Sequence, residues 1–259
     1  MGVRPRVMVM LWGSHTPILE RIKERVDVDL DIFITKPDAD VRESVEEAIR
    51  RMGSADAVVI YKQNTEFHRA LDEALEPVKH EHRIICFGND PMMWNLTSVD
   101  HSVAVSTYEY MLKGGDENFV RMMDFLDKAL FGRPGEPLPP VDLPWQGIVG
   151  LRTDKVYQSP SEYIEAESLD MTRPFVGILA SRPAFLMDGL VIERELSNRL
   201  YELGANPILV FVSFSKKEDL GCWSHEEAIR RFMFDGDRRL VDAIVKLSLI
   251  HISEPTRLQ

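Results

Sequence analysis

Short apolar runs alternate with amphipathic stretches over the first 132 residues of the chain. Helical spacing of apolar side chains separates most of these runs, as in residues 41–52 and 67–78. Asp38 is the expected N-cap of the second helix, and Gly53 is the residue expected to end it. Strict alternation predicts an α/β fold with a doubly wound parallel sheet, and five strands predict the flavodoxin-like order. The five expected strands are residues 6–11, 30–34, 57–61, 84–87 and 103–106.

A strand, a polar loop, a helix and a second strand follow one another in residues 173–213. Residues 175–179 and 208–212 are apolar runs of the kind that buried parallel strands need. Gly204 ends the helix at a position that favours a left-handed residue. Two parallel strands joined by a helix form a βαβ unit, so we expect a second, Rossmann-like α/β domain to start here. The expected buried face of its helix is formed by Ile192, Leu196, Leu200 and Leu203.

Changes in composition divide the chain into four parts. Residues 1–132 form the expected flavodoxin-like domain. Residues 133–172 begin as a proline-rich joint and continue as a poorly patterned segment, which we expect to run as a strap along the surface. Residues 173–246 are the first part of a truncated second α/β domain. Residues 247–259 are interpreted as an artefact, because LSLIHISEPTR resembles a translated sequencing-library adaptor; the alternative is a genuine strand with a polar tail.

The composition excludes several classes of protein. A hydrophobic content of 44% and a charged content of 28% are typical of a globular domain. The net charge of −11, without a basic cluster, argues against nucleic-acid binding, and no apolar run is long enough to span a membrane. Cys86 and Cys222 do not form a disulfide framework in a chain of this length, so we expect a cytoplasmic protein with Cys86 buried in a strand.

Candidate binding residues follow the expected strands of the first domain, and residues 62–64 and 88–94 are two of the loops expected at its binding edge. His15 comes directly after the first strand, at the edge where doubly wound sheets bind ligands. The alternative is that Ser14 or Thr16 simply caps the next helix. Trp94 ends the loop 88–94, in which Met-Met-Trp offers an apolar surface for a flat ligand or, alternatively, folds under the sheet as core.

Ser181 and Arg182 occupy the corresponding loop of the second domain. An arginine at a strand end can hold a carboxylate in a bidentate pair. The alternative is a surface arginine that pairs with Asp188 or Glu193. The chain contains no G-x-x-x-x-G-K-[ST] loop, no G-x-G-x-x-G, no C-x-x-C or H-E-x-x-H and no G-x-S-x-G, which argues against ATP hydrolysis, dinucleotide binding and hydrolase chemistry.

Two blocks of sequence resemble a known family. One runs from RPFVGIL through the arginine-containing loop to LYELGANPILVFVSF, and the other joins FGRPG, LPP and LPWQGI at residues 131–148. Together they resemble the large subunit of cobaltochelatase (CobN type), which is related to the magnesium-chelatase H subunit. The chain departs from the family pattern at residues 149–151, where Tyr-His-Pro is usual, and at Ser181, where an aromatic residue is usual.

The resemblance implies a function for the complete protein. Members of this family form a ligase complex that inserts cobalt or magnesium into a tetrapyrrole, with ATP hydrolysed by separate AAA+ partner subunits. The large subunit binds the macrocycle, whose carboxylates give Arg182 its expected role. The metal-insertion residues lie downstream of this fragment, so no catalytic residue and no metal ligand is expected here. We expect the fragment alone to be inactive, to bind no cofactor, and to belong to cobalamin biosynthesis.

Three alternatives remain open at this point. The first is a magnesium-chelatase H-type subunit. The second is a two-domain sugar-nucleotide glycosyltransferase, since that class also places a cleft between paired α/β domains. The third is a two-lobed sensor of small molecules, in which the proline-rich joint acts as a hinge.

Overall fold

The computed structural model describes residues 4–35, 39–153, 155–187, 189–213, 216, 218–236 and 238–247. The expected adaptor-derived segment therefore lies outside the described residues, apart from Leu247. The chain divides into two units, Met1–Leu143 and Pro144–Gln259.

The first unit is built on a parallel sheet of four strands, in the order β2-β1-β3-β4. Every neighbouring pair is parallel. Both β3 and β4 are buried along their whole length, which explains their continuous apolar sequences. The order matches the first four positions of the expected flavodoxin-like sheet. The strands are β1 (Arg6–Met10), β2 (Asp29–Ile32), β3 (Ala57–Tyr61) and β4 (Ile84–Phe87).

Five helices accompany this sheet in the described part of the first unit. Helix α1 packs against α5, and α2 packs against α3. The second pair closes a core with the sheet, in which Met8 and Ile60 meet Ala48 and Leu71. The helices are α1 (Thr16–Ile22), α2 (Val41–Met52), α3 (Glu66–Leu75), α4 (His101–Lys113) and α5 (Asp116–Phe131).

The fifth strand expected at residues 103–106 is wrong, because these residues lie inside α4. The Asp100 side chain caps that helix by accepting a hydrogen bond from the Ser102 amide at 2.8 Å. Ala104, Thr107 and Met111 are buried at helical spacing. The spacing of apolar residues in a four-residue run fits both a strand and a helix, so the flanking residues determine which one forms. Here the N-cap and the helical turns that follow favour a helix.

The ends of α2 differ in part from expectation. Its N-cap is Asp40, whose side chain accepts from the Glu43 amide at 3.0 Å, and not Asp38, which lies outside the described residues. The helix does end at Gly53, but with a φ of −59° that any residue can adopt. The expected boundary is therefore confirmed at its C-terminal end, without the left-handed geometry.

The second unit contains a mixed sheet in the order β11-β7-β8-β5-β6. Strand β7 is parallel to both β8 and β11, whereas β5 is antiparallel to β8 and β6. Its strands are β5 (Gly147–Val149), β6 (Val156–Tyr157), β7 (Phe175–Ser181), β8 (Asn206–Val212) and β11 (Ala243–Lys246), and a separate hairpin pairs β9 (Phe234–Asp235) with β10 (Arg238–Arg239). The helices are α6 (Pro160–Glu167), α7 (Arg182–Leu186), α8 (Val191–Glu202) and α9 (His225–Phe232).

The expected βαβ unit is confirmed as β7, α8 and β8, and Gly204 has the left-handed φ of +87°. The predicted face of α8 is only half right. Ile192 and Leu203 are 68% and 69% exposed, and the helix instead buries Glu193 and Ser197. The Ser197 hydroxyl donates to the Glu193 carbonyl at 2.8 Å, so this buried polar group is satisfied within its own helix.

The segment from Gln146 to Thr172 is part of the second unit and not a surface strap. It supplies β5, β6 and α6, and β5 joins the sheet beside β8. Tyr163 is buried and its hydroxyl donates to the Pro207 carbonyl at 2.8 Å. Strands of two and three residues carry too little periodicity to be recognised in a sequence.

The proline-rich segment (residues 133–143) is bound along α4 and α5 of the first unit. Asn118 exchanges two hydrogen bonds with the backbone of Val141, at 2.9 and 2.7 Å. Side chains of the same two helices donate to three more carbonyls of the segment: Tyr110 to Leu138, Arg121 to Pro139 and Lys128 to Glu136. These contacts fix residues 136–141 to the first unit, so they are not a free hinge.

Candidate functional site

The carboxyl ends of β1, β3 and β4 open onto a depression with a volume of about 370 Å³. This edge of a parallel sheet is where doubly wound folds bind ligands. We call it the edge depression; its lining residues are Trp12, Lys62, Gln63, Asn64, Asn89 and Met93.

An aromatic pair forms one side of the edge depression. Trp12 is 39% exposed, and its ring meets the Tyr61 ring edge-on at a centroid distance of 5.1 Å. Burial raises the pKa of Tyr61 to about 12, with a smaller contribution from Tyr108. The Tyr61 hydroxyl therefore stays protonated near neutral pH and donates to the Asn89 carboxamide oxygen at 2.7 Å.

Lys62 contributes little net charge to the edge depression. It is only 7% exposed, and its ammonium group donates to Asp72 at 2.5 Å and to the Asn95 side chain at 2.7 Å. A buried ammonium group needs such partners, because burying it without a partner costs several kcal/mol of folding free energy. Because Asp72 neutralises Lys62, the groups available to a ligand are side-chain amides and aromatic rings.

His15 lies beside this aromatic cluster and not in the lining of the edge depression. Its ring is 5.7 Å from the Phe119 ring and 6.2 Å from the Trp12 ring, centroid to centroid. Among the residues that the structure describes, none forms a hydrogen bond with its buried Nδ1 atom. Burial lowers the pKa of His15, and a smaller effect of the Trp12 backbone opposes it. The expected capping of α1 by Ser14 or Thr16 is absent, since the cap residue is His15 itself, without a side-chain bond.

The loop that carries Trp94 is neither wholly core nor wholly surface. Met92 is 84% exposed, whereas Met93 and Trp94 are half-buried. The Trp94 indole donates to the Gly88 carbonyl at 3.2 Å and packs against Tyr108. Cys86 is buried in β4 as expected, and burial raises the pKa of its thiol to about 12, so the thiol is unreactive near neutral pH.

Ser181 and Arg182 belong to the second unit. The Ser181 hydroxyl caps α7 by accepting from the Ala184 amide at 3.2 Å. Arg182 is 4% exposed, its Nε donates to the Pro144 carbonyl at 2.9 Å, and its guanidinium lies 3.9 Å from the centre of the Trp145 ring. Burial lowers the pKa of Arg182 to about 10, so it stays charged at neutral pH.

Burial contradicts one part of the alternative for Arg182, its position at the surface. Asp188, one of its two expected partners, lies outside the described residues. The role of Arg182 toward a carboxylate stays a prediction. Among the lining residues, Trp12 lies outside the loops that the sequence placed at this edge, although it directly follows the expected first strand.

The described residues contain neither a cluster of metal ligands nor a membrane-spanning helix. Among residues 4–247, with the gaps given above, no cluster of three or more His, Cys, Asp or Glu side chains could hold a metal ion. Within the same part of the chain, no helix combines the length and the apolar character needed to cross a bilayer.

A methyl group at Gly88 is expected to disturb the edge depression. A Cβ there would lie 2.6 Å from Sδ and 2.8 Å from Cβ of Met93. Gly88→Ala should therefore lower the free energy of unfolding by about 1–3 kcal/mol, measured by urea denaturation. The matched control is Gly13→Ala, where no heavy atom lies within 4 Å of the added methyl. Equal stability of the two variants would contradict the close approach of Met93.

Stability is expected to fall as the pH drops below 6.5, in part because of His15. Its folded pKa is lower than its ordinary value of 6.5, so the unfolded chain binds the proton more readily. The contribution is complete above pH 6.5 and is lost as the pH falls toward the folded pKa, with a slope of at most about 1.4 kcal/mol per pH unit. His68 and His225 act in the same direction.

The variant that isolates this effect is His15→Phe, compared with the exposed His101→Gln in urea denaturation at pH values from about 7.5 down to about 5, on both sides of the ordinary histidine pKa. The unfolding free energy of His15→Phe should depend less on pH than that of the parent chain. An unchanged slope for His15→Phe would show that His15 is readily protonated in the folded state.

Comparisons with known proteins give one matching family model and two similar relatives. The model of the family described as CobN/Magnesium Chelatase matches residues 108–258, more than half of the chain. Uncharacterized protein MJ1441 of Methanocaldococcus jannaschii is 26% identical over 93% of the chain, and MJ0908 of the same organism is 25% identical over 60%. The chain spans only 18% and 13% of the lengths of these relatives.

A solved structure supports the fold. The catalytic subunit of cobaltochelatase from Mycobacterium tuberculosis matches 84% of the chain with a TM-score of 0.53 and 16% sequence identity. The match covers 17% of that subunit. At this level of identity the likeness concerns the arrangement of strands and helices.

Proposed function

This chain belongs to the CobN/magnesium chelatase family, and on that basis we propose that it is the N-terminal part of the large subunit of an ATP-dependent metal chelatase. The observation that carries the proposal is the family match over residues 108–258. The large subunit is proposed to bind the tetrapyrrole into which the complex inserts a divalent metal ion. This fragment is proposed to be inactive by itself, since it spans less than a fifth of its relatives.

Cobalt is the proposed metal, with a corrin precursor as the macrocycle. The support is the likeness of the sequence blocks at residues 131–148 and 173–213 to the CobN branch. Insertion of magnesium by an H-type subunit is the other outcome that the test below distinguishes.

ATP hydrolysis is assigned in this proposal to separate AAA+ subunits. The sequence contains no G-x-x-x-x-G-K-[ST] loop with which to hold nucleotide phosphates. Cys86 and Cys222 are both buried, and two cysteines in a chain of this length are too few for the disulfide framework of a secreted protein, so we propose the cytoplasm as its compartment.

Four residues remain the proposed contacts for the macrocycle: Arg182, Ser181, His15 and Trp94. Their surroundings favour different roles. Arg182 and Ser181 also form hydrogen bonds within their own unit, so we propose that they hold the loop after β7 in the shape that contacts the macrocycle. Half-buried Trp94 keeps part of its ring accessible at the carboxyl edge of the first sheet. His15 would act as a neutral side chain, because burial lowers its pKa.

The test uses the complete gene expressed together with its AAA+ partner subunits. Metal insertion is followed by absorbance, with Co²⁺ and hydrogenobyrinic acid diamide in one arm and Mg²⁺ and protoporphyrin in the other. Insertion of cobalt that depends on ATP and on the partner subunits is the expected result. Insertion of magnesium alone would assign the H-type function, and no insertion in either arm would contradict the proposal.

A further inference from the structure

We propose that the edge depression of the first unit binds a second kind of ligand, a neutral planar heterocycle of the purine type. This site goes beyond the chelatase function, which concerns a much larger macrocycle. The volume of about 370 Å³ lies within the range of small-ligand pockets, roughly 300–1,000 Å³.

Trp12 supplies a surface on which a flat ring can stack. Its indole is 39% exposed at the rim, and the T-shaped contact with Tyr61 holds its orientation. Met93, on the loop after β4, also lines the depression and adds a polarisable apolar contact. Tryptophan stacks on any flat π system, so this pair recognises an aromatic ring without selecting its substituents.

Carboxamides supply the selectivity for the edge of the ring. Asn89 uses its oxygen to accept from Tyr61, which points its NH₂ group away from that bond. In the described part of the chain, the Gln63 side chain has no hydrogen-bond partner. A carboxamide offers a donor beside an acceptor, which is the pattern that asparagine and glutamine use to read the N6 and N7 edge of adenine.

The charges favour a base or nucleoside over a nucleotide. The ammonium group of Lys62 is neutralised by Asp72, so it offers little net charge to a phosphate. The net charge of the chain is −11, and the loops at this edge lack a glycine-rich phosphate-binding sequence. A neutral ring with a donor–acceptor edge therefore fits the lining better than an anion does.

The experiment measures binding of radiolabelled adenine to the chain by equilibrium dialysis. Saturable binding at one site is expected, and both Trp12→Ala and Asn89→Ala should weaken it by about tenfold or more, the loss expected for one stacking or paired contact. Both side chains are exposed enough for the variants to fold. Trp12→Phe should retain most of the affinity, and Asn198→Ala, an exposed amide on α8, should leave it unchanged.

Two further ligands test the assignment of the edge. Unsubstituted purine, which lacks the exocyclic amine, should bind about tenfold more weakly than adenine. Adenosine monophosphate should bind no more tightly than adenosine. The proposal is overturned by the absence of saturable adenine binding, or by equal affinity in the parent chain, Trp12→Ala and Asn89→Ala. If protoporphyrin displaces adenine from the parent chain and Trp12→Ala no longer binds protoporphyrin, the edge depression would be assigned to the macrocycle instead. Metal insertion is measured separately, so failure here leaves the chelatase proposal intact.

Discussion

Replacing Asn118 with alanine is expected to lower the free energy of unfolding of the first unit by about 3 kcal/mol, because several buried polar groups lose their partners at once. The Asn118 carboxamide is completely buried. Its NH₂ group donates to the carbonyls of Gly114 and Val141 at 2.8 and 2.9 Å, and its oxygen accepts from the Val141 amide at 2.7 Å. The measurement is urea denaturation of the chain, followed by circular dichroism.

Two variants control this prediction. Asn198→Ala removes an exposed amide from α8 and should change stability by less than about 0.5 kcal/mol. Asn118→Asp keeps the acceptor for the Val141 amide but loses both donated bonds, so it should also be strongly destabilised. A loss below about 1 kcal/mol for Asn118→Ala would mean that the proline-rich segment contributes little to the first unit.

Arg182→Ala is expected to destabilise the second unit by about 2–4 kcal/mol, because it loses a charged hydrogen bond and a desolvated cation–π contact. The bond to the Pro144 carbonyl is 2.9 Å long, and the guanidinium lies 3.9 Å from the Trp145 ring centre. Relief of the cost of burying the charge offsets part of this loss. Arg182→Lys should recover little, because lysine lacks the planar group that stacks on an indole.

The same variants separate a structural role of Arg182 from a role in binding. In the complete large subunit, Arg182→Ala is predicted to weaken tetrapyrrole binding by about ten- to a hundredfold, measured by quenching of tryptophan emission. Arg182→Met keeps the apolar stem and should restore part of the stability. If Arg182→Met also restores affinity, Arg182 acts by positioning its loop; if affinity stays low while stability returns, it holds a substrate carboxylate. Full affinity in Arg182→Ala would remove Arg182 from the site.

The strands of the two sheets were predictable to different degrees. Strand β3 and residues 208–212 of β8 are continuous apolar runs, because strands covered on both faces of a sheet bury every side chain. Sequence patterns did not predict the short strands β5 and β6, or the helix at residues 103–106. In so few residues the spacing of apolar side chains does not distinguish a strand from a helix. The exposed Ile192 on α8 shows the same limit: spacing identified a helix, but the partner surface decided which side is buried.

The location of the candidate site was predictable, whereas the state of its side chains was not. The rule for parallel sheets placed the loops after β1, β3 and β4 at one edge from sequence alone. The partners of the charged groups come from elsewhere in the chain: Lys62 pairs with a residue ten positions away, and Arg182 binds a carbonyl 38 positions away. No local pattern indicates such contacts.

The way α4 and α5 hold the proline-rich segment sets which positions should tolerate substitution. Tyr110, Arg121 and Asn118 bind backbone carbonyls and one backbone amide, which nearly every amino acid presents alike. In a saturation-mutagenesis library sorted for folded protein, residues 136–141 should therefore accept many side chains, with proline refused at Val141 because its amide is used. The positions on α4 and α5 whose side chains bind this backbone should accept few substitutions. The segment would thus diverge freely between related genes while keeping the same path.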